Sequence, residues 1–263
     1  MANWTNFYLI RIEFLGFRFH GWQPQPGLKS VQGMMDKTFK FIFKHDNFKT
    51  LGCGRTDAKV SADDFVLELF TFEELDIANL LLELNKNLPA DIRANSVKEI
   101  GSDFNIIQDS KTKEYHYSFS SQPKTHPYNA PFITNYRDPL NIELMKEAAK
   151  LFEGLHNFKR YASNPSMNTE FEREILLSEI VKNDRLNAQF VPEESFVFKV
   201  RSKGFLTYQV RLMMGALVNV GDGSWSLDDF KESLSNPEGE QVKNIAPSSG
   251  LCLHKVELLH SSK

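Results

Sequence analysis

Short apolar runs that alternate like strands are interleaved with amphipathic runs of helical period, and this order occurs twice along the chain. It restricts the molecule to mixed α+β architectures. "FYLIRIEF" (7–14) reads as a first strand, followed by a stretch rich in glycine and proline, "GFRFHGWQPQPGLK". Ser30 is placed to cap a helix, "VQGMMDKTFKFIFKH", with Met34, Phe39, Ile42 and Phe43 at helical spacing. A strand ending in "FKTLGC", a polar loop and the strand "DFVLELFTF" (64–72) come next. A helix over 75–89 is stopped by Pro89, and "IRANSVKEI" and "EYHYSFSS" read as further strands. The second half repeats the theme: a helix over 141–153, strands "EILLSEIVKND" and "SFVFKVRS", helices over 205–220 and 227–235, and a last strand, "LCLHKVEL". The expectation is two α+β subdomains with antiparallel sheets, 1–106 and 107–263, without an internal sequence repeat.

With 41% hydrophobic and 25% charged residues, the composition is that of an ordinary soluble globular protein. Cys53 and Cys252 are far apart and the seven histidines lack ligand spacing, so neither a disulfide framework nor a metal site is expected, and a reducing cytoplasm suits the chain. Arg11 and Glu13 interrupt the apolar N-terminal stretch, which argues against a signal peptide, and no run suits a membrane helix. The net charge is -3, yet residues 1–62 carry nine Lys/Arg against four Asp/Glu, while 63–105 carry three against ten. A polyanion is therefore expected at the first segment, if anywhere.

That basic segment ends in "LGCGRTDAKVSA" (51–62), which sets Arg55 and Asp57 two residues apart between two strands. Turns commonly contain Gly, Thr and Asp, so an ordinary connection is one reading. A second clue lies in "FLTYQVRLMMGALVNVG" (205–221), where Arg211 stands among apolar residues and needs either a carboxylate or a wet cleft. Asp57 is a candidate partner. Tyr115 and Tyr117 share one face of a strand and suit either a core or a cleft that stacks a base. "FHGWQPQ" (19–25) is an exposed aromatic loop or a packed turn. Phosphate-loop, dinucleotide, zinc-protease and nucleophile-elbow motifs are absent from the sequence.

Taken together, these segments resemble the tRNA pseudouridine synthase A family. "GRTDAKV" (54–60) is similar to its GRTDAGVH signature, "FHGWQPQ" with "SVQ" to its first strand-loop-helix unit, and "NKNLPADI" (85–92) to its N-x-x-L-P-x-D-I segment. "KEYHY" (113–117) resembles its tyrosine strand, and "GLHNF" (154–158) its G-x-H-D/N-F element. The 205–221 segment resembles its arginine helix and "SSGLCL" (248–253) its closing strand. The resemblance implies two α+β subdomains around a catalytic cleft, tRNA as substrate, commonly a homodimer, and neither cofactor nor metal. It implies Asp57 as nucleophile, Arg55 as the residue that helps turn out the target uridine, Tyr115 stacking on the base as candidate general base, Arg211 paired with Asp57, and Leu251 packed on the base. Lys59, Trp22 and Gln23 are further candidates for RNA contact.

Three departures stand out. Lys59 replaces the family's glycine and Ser61 its histidine, and Ile107 stands where an arginine is usual. These bear on which uridine, or which RNA, is chosen. An inactive RNA binder and an enzyme of free nucleosides remain as other classes. The first should have lost Asp57, Tyr115 or Arg211, and the second does not explain the basic aromatic segment.

Overall fold

The structure, a computed structural model, describes residues 4–259, so residues 1–3 of the N-terminal stretch lie outside it. Two compact units are present: the described residues up to Lys111 together with those from Leu253 on, and Thr112–Cys252. Both mix helices with a sheet, the expected α+β class. Among the described residues no helix is long and apolar enough to cross a membrane.

The first unit holds β1 (Asn6–Phe14), α1 (Val31–Phe43), β2 (Phe48–Gly52), β3 (Ser61–Thr71), α2 (Ile77–Asn87) and β4 (Ile92–Ile100). Antiparallel β3 and β4 flank β1, and β2 pairs antiparallel with β3 in the register Phe48↔Thr71 to Gly52↔Leu67. Ile10, Ile12, Phe65 and Leu67 are fully buried and form the sheet's share of the core. Helix α1 supplies Val31, Met35 and Phe39, all fully buried, while Met34 is only half-buried. Full burial of a side chain of this size contributes about 1.5–3 kcal/mol. Ser30 caps α1 as the sequence suggests, its Oγ accepting from Gly33 N at 3.2 Å. Asp76 does the same for α2, accepting from Asn79 N at 3.1 Å, and that helix stops before Pro89.

The second unit holds β5 (Ser110–Ser121) from Thr112 on, β6 (Thr134–Tyr136), α3 (Ile142–Lys150), β7 (Gly154–Asn157), β8 (Glu172–Lys182), β9 (Ser195–Ser202), α4 (Gln209–Gly221) and α5 (Leu227–Ser235). Its sheet runs β5-β9-β8-β7 with antiparallel neighbours, and β6 lies parallel beside β5. An aromatic cluster of Phe152, Phe158, Tyr161 and Phe230 forms the core, with Phe152 and Phe230 centroids 4.9 Å apart. Helix α4 is buried on nearly all sides, consistent with its continuous apolar sequence.

The structure differs from expectation in three places. Helix α4 begins at Gln209, because Tyr208 takes a left-handed φ of 62° and residues 205–208 form a turn instead. The short strands β6 and β7 are additional. The last strand, β10 (Leu251–Leu258), lies next to β3, and its residues from Leu253 on belong to the first unit, which a simple division at residue 106 does not provide for. Polar contacts hold it there: Val256 N donates to Asp64 Oδ2 at 3.1 Å, and Arg11 Nη1 grips both oxygens of Asp64 at 2.5 and 2.6 Å.

Candidate active site

In the first unit the candidate residues lie on the loop between β2 and β3. Cys53 N still donates to Val66 O at 2.9 Å, and beyond it the loop is braced by the glycine-rich segment that follows β1. Trp22 N donates to Thr56 O (3.2 Å) and Lys59 N to Phe19 O (3.0 Å). Gly16 N donates to Ser61 Oγ at 2.9 Å, and Val60 N closes a turn on Asp57 O at 3.2 Å. Gly21 makes this approach possible: its φ is +84°, and a Cβ there would lie 2.5 Å from Thr56 O.

Asp57 is half-buried on this braced turn, with Arg55 and Lys59 exposed on either side of it. Gln23 is exposed as well. Trp22 is not suited to the RNA contact expected of it: it is 3% exposed and its indole stacks on Phe65 at 4.0 Å, where it supports the loop. The packed-turn reading of "FHGWQPQ" is the one that holds. Lys59 has a φ of 69°, so the lysine that replaces glycine does sit in left-handed backbone. That conformation costs a non-glycine residue about 1–2 kcal/mol, against roughly 0.5–1 kcal/mol of extra chain entropy for glycine. Lys59→Gly is accordingly expected to stabilise the protein by about 0.5–1 kcal/mol in urea unfolding. An unchanged or lower midpoint would mean that the lysine is not strained.

In the second unit, β5 carries Tyr115 and Tyr117, and their fates differ. Tyr115 is half-buried, its ring edge-on to Phe205 at 5.3 Å. Tyr117 is fully buried; its hydroxyl donates to Pro247 O at 2.8 Å and lies 2.9 Å from Thr134 Oγ1. Burial pushes the Tyr117 phenol up to about 12, partly offset by Thr134, Tyr136 and the Arg211 charge. It therefore stays protonated at neutral pH and serves as a fixed donor, which separates it from Tyr115 as a base.

Arg211 stands in the first turn of α4. Its Nε donates to Ala246 O at 2.8 Å, Ala246 N donates back to Arg211 O at 3.1 Å, and the guanidinium lies 4.8 Å from the Tyr208 ring centroid. The 244–247 segment reaches the helix because Gly215 has no side chain: a Cβ there would lie 1.7 Å from Asn244 O. Asn244 Nδ2 donates to Gly215 O (3.2 Å) and Asn219 Oδ1 (2.8 Å), closing the seam. Leu251, at the start of β10, is 5% exposed.

Each unit thus organises its own set of candidates: Arg55, Asp57 and Lys59 on one loop, and Tyr115 and Arg211 on β5 and α4. Tyr136 and the 244–247 backbone were missed in the sequence. Nothing in the local pattern marks Tyr136, whereas the glycine at 215 in an apolar helix signals a close backbone approach.

A family model described as tRNA pseudouridine synthase matches residues 148–257. The chain is 32% identical over 251 residues to tRNA pseudouridine synthase A of Aquifex aeolicus, covering 95% of this chain and 99% of that one. It is 31% identical to tRNA pseudouridine synthase A of Thermosipho melanesiensis, over 95% of this chain and 98% of that one. With tRNA pseudouridine synthase A 2 of Bacillus thuringiensis it shares 30% identity, over 96% of this chain and 99% of the relative.

Proposed function

The chain belongs to the tRNA pseudouridine synthase A family, and from that premise we propose how its own residues divide the work of converting uridine to pseudouridine in tRNA. The reaction breaks the N1–C1′ bond, turns the base and rejoins it through C5. Atoms and electrons balance within the nucleotide, so no redox cofactor or energy donor enters the proposal. Asp57 acts as the anion that adds to C1′ or C6 or assists glycal formation. Arg211 is its proposed charge partner, which favours the ionised carboxylate. Tyr115 stacks on the base and removes the C5 proton, while Tyr117 remains a structural donor. Arg55, exposed beside the nucleophile, fills the gap left by the flipped uridine or grips its phosphate, and Leu251 packs on the base.

The observation that carries this reading is the braced loop, which fixes the backbone on both sides of Asp57 and leaves Arg55 and Lys59 exposed. The proposed target is the anticodon stem-loop, the proposed assembly a homodimer, and the proposed compartment the cytoplasm. Lys59 in place of glycine and Ile107, 57% exposed in place of arginine, bear on which uridine is chosen, and another uridine or RNA is the alternative reading. Sequencing of RNA after pseudouridine-specific labelling, with and without the gene, tests this. Loss of anticodon-stem pseudouridines supports the target; unchanged anticodon-stem sites with losses elsewhere assign the enzyme to another uridine.

A further inference from the structure

The segment that follows the tyrosine strand has no part in the proposed reaction, yet it is tied down by several hydrogen bonds. After β5 the chain makes a loop, passes through a short 3-10 turn (Pro127–Asn129) and returns as β6 beside the strand it left. Asn129 ties the turn down: its Nδ2 donates to Phe190 O at 2.6 Å, and its carbonyl accepts from both Phe132 N and Ile133 N at 2.8 Å. Asn135 Nδ2 donates to Gln122 O at 2.8 Å, and Ser120 Oγ donates to Asn135 Oδ1 at 2.8 Å.

This loop borders an open surface hollow of about 310 Å3 lined by Lys124, His126, Thr134, Asn135, Arg137 and Ser249 among others, with no carboxylate in its wall. Lys124 and Arg137 are exposed, and neither has an acidic partner among the described residues. In the same unit most other lysines and arginines do, for example Lys146 with Glu143 and Arg160 with Glu232. An aromatic group adjoins the wall at His126: its ring lies 4.8 Å from that of Tyr128, outside the lining itself, and Tyr128 lies 5.9 Å from Phe190. Tyr128 is nevertheless 67% exposed, a large open ring on this hydrogen-bonded loop.

We infer that this hollow binds a single-stranded nucleotide of the RNA substrate, its phosphate held by Lys124 and Arg137 and its base stacked on Tyr128. The inference rests on the assignment of tRNA as substrate. Two unpaired cations beside an exposed aromatic ring are the pairing that single-stranded RNA requires, since phosphates need charge and every base offers a π-face. The hollow is of nucleotide size, and its remaining wall of hydroxyls, amide and imidazole offers hydrogen bonds to a ribose or a base edge. Thr134 at its floor also contacts the Tyr117 hydroxyl, so the hollow adjoins the strand that carries Tyr115.

The test uses the full chain and unmodified tRNA, with filter binding across a salt series and steady-state turnover. Lys124→Ala/Arg137→Ala is expected to raise Kd and KM for tRNA roughly tenfold, with kcat unchanged, and to reduce the salt slope by about 1.5. Tyr128→Ala should weaken binding roughly tenfold while Tyr128→Phe, which keeps the ring, restores it. All three side chains are exposed, so the fold is retained. Unchanged Kd and slope in both Ala variants would overturn the site. So would dissociation of a dimer by the same variants in sedimentation, which would mean that the face receives a second copy of the chain. A wild-type protein that binds tRNA but forms no pseudouridine would refute the functional assignment while the binding comparison still judges the hollow.

Discussion

Replacing Asp57 by asparagine should lower the rate of pseudouridine formation in single turnover by a thousandfold or more while leaving tRNA affinity and fold intact. The substitution keeps the shape and removes the negative charge, and with it the nucleophile. The backbone braces of the loop, N–H donors from Gly16, Trp22 and Lys59, do not involve that carboxylate. The fold should therefore be retained, with a stability loss of about 1–3 kcal/mol for the charge partner that the substitution leaves behind. Affinity for tRNA comes mostly from phosphate contacts, to which Asp57 does not contribute. Arg211→Gln is expected to be slow as well, and Asp57→Asn/Arg211→Gln no slower than Asp57→Asn alone, as befits residues that act as a unit. Additive losses would mean that Arg211 serves something other than this carboxylate.

Gly215→Ala is expected to be the most damaging single-methyl change in the second unit. Alanine is the better helix former by about 1 kcal/mol, so propensity alone predicts a gain. Sterics decide the sign. The added Cβ would lie 1.7 Å from Asn244 O, a backbone atom with no rotamer to give way. Either α4 or the 244–247 segment has to move, and the hydrogen bonds of Asn244 and the tether between Arg211 and Ala246 go with it. A loss of about 3 kcal/mol or more follows, lowering Tm by roughly 6–12 °C, together with slower turnover because Arg211 is no longer held. Gly204→Ala is the control: a Cβ there meets nothing within 4 Å, and the change should stay within about 0.5 kcal/mol.

The regular elements were legible because periodicity and capping act locally. Ser30 with its amphipathic run, the alternation of β1 and β3, and Pro89 after α2 each announce themselves within a few residues. Tyr208 shows where this fails. It lies in an apolar run that scans as helix, and only the turn closed by Gln209, whose Oε1 accepts from Leu206 N at 2.8 Å, delays the start of α4. Trp22 was ambiguous for a related reason: an aromatic among glycines and prolines suits a surface loop as well as a packed one. Burial was decided by Phe65, 43 positions away in the chain, and distant partners leave no local signature. β6 and β7 span 3 and 4 residues and carry too little pattern to register.

Candidate residues divide in the same manner. Arg55, Asp57 and Lys59 stand out because a turn so rich in charge between two apolar strands is uncommon. At Lys59, where the resemblance has glycine, the φ of 69° shows the left-handed backbone that a glycine would suit. Arg211 was visible as a cation in an apolar helix. Distinguishing Tyr115 from Tyr117 was not possible from spacing alone, since both occupy one strand face. It took Thr134 and Pro247, far along the chain, to lock the second and leave the first half-buried.

The most direct measurement is tritium release from bulk tRNA labelled at uridine C5, with the purified chain in excess over tRNA. Isomerisation must expel the C5 hydrogen, so the account predicts release from the intact chain and none from Asp57→Asn. Release that persists in Asp57→Asn would contradict the assigned nucleophile. Absence of release from the intact chain, with tRNA binding retained, would contradict the enzyme itself and leave an RNA binder that keeps the fold without the chemistry.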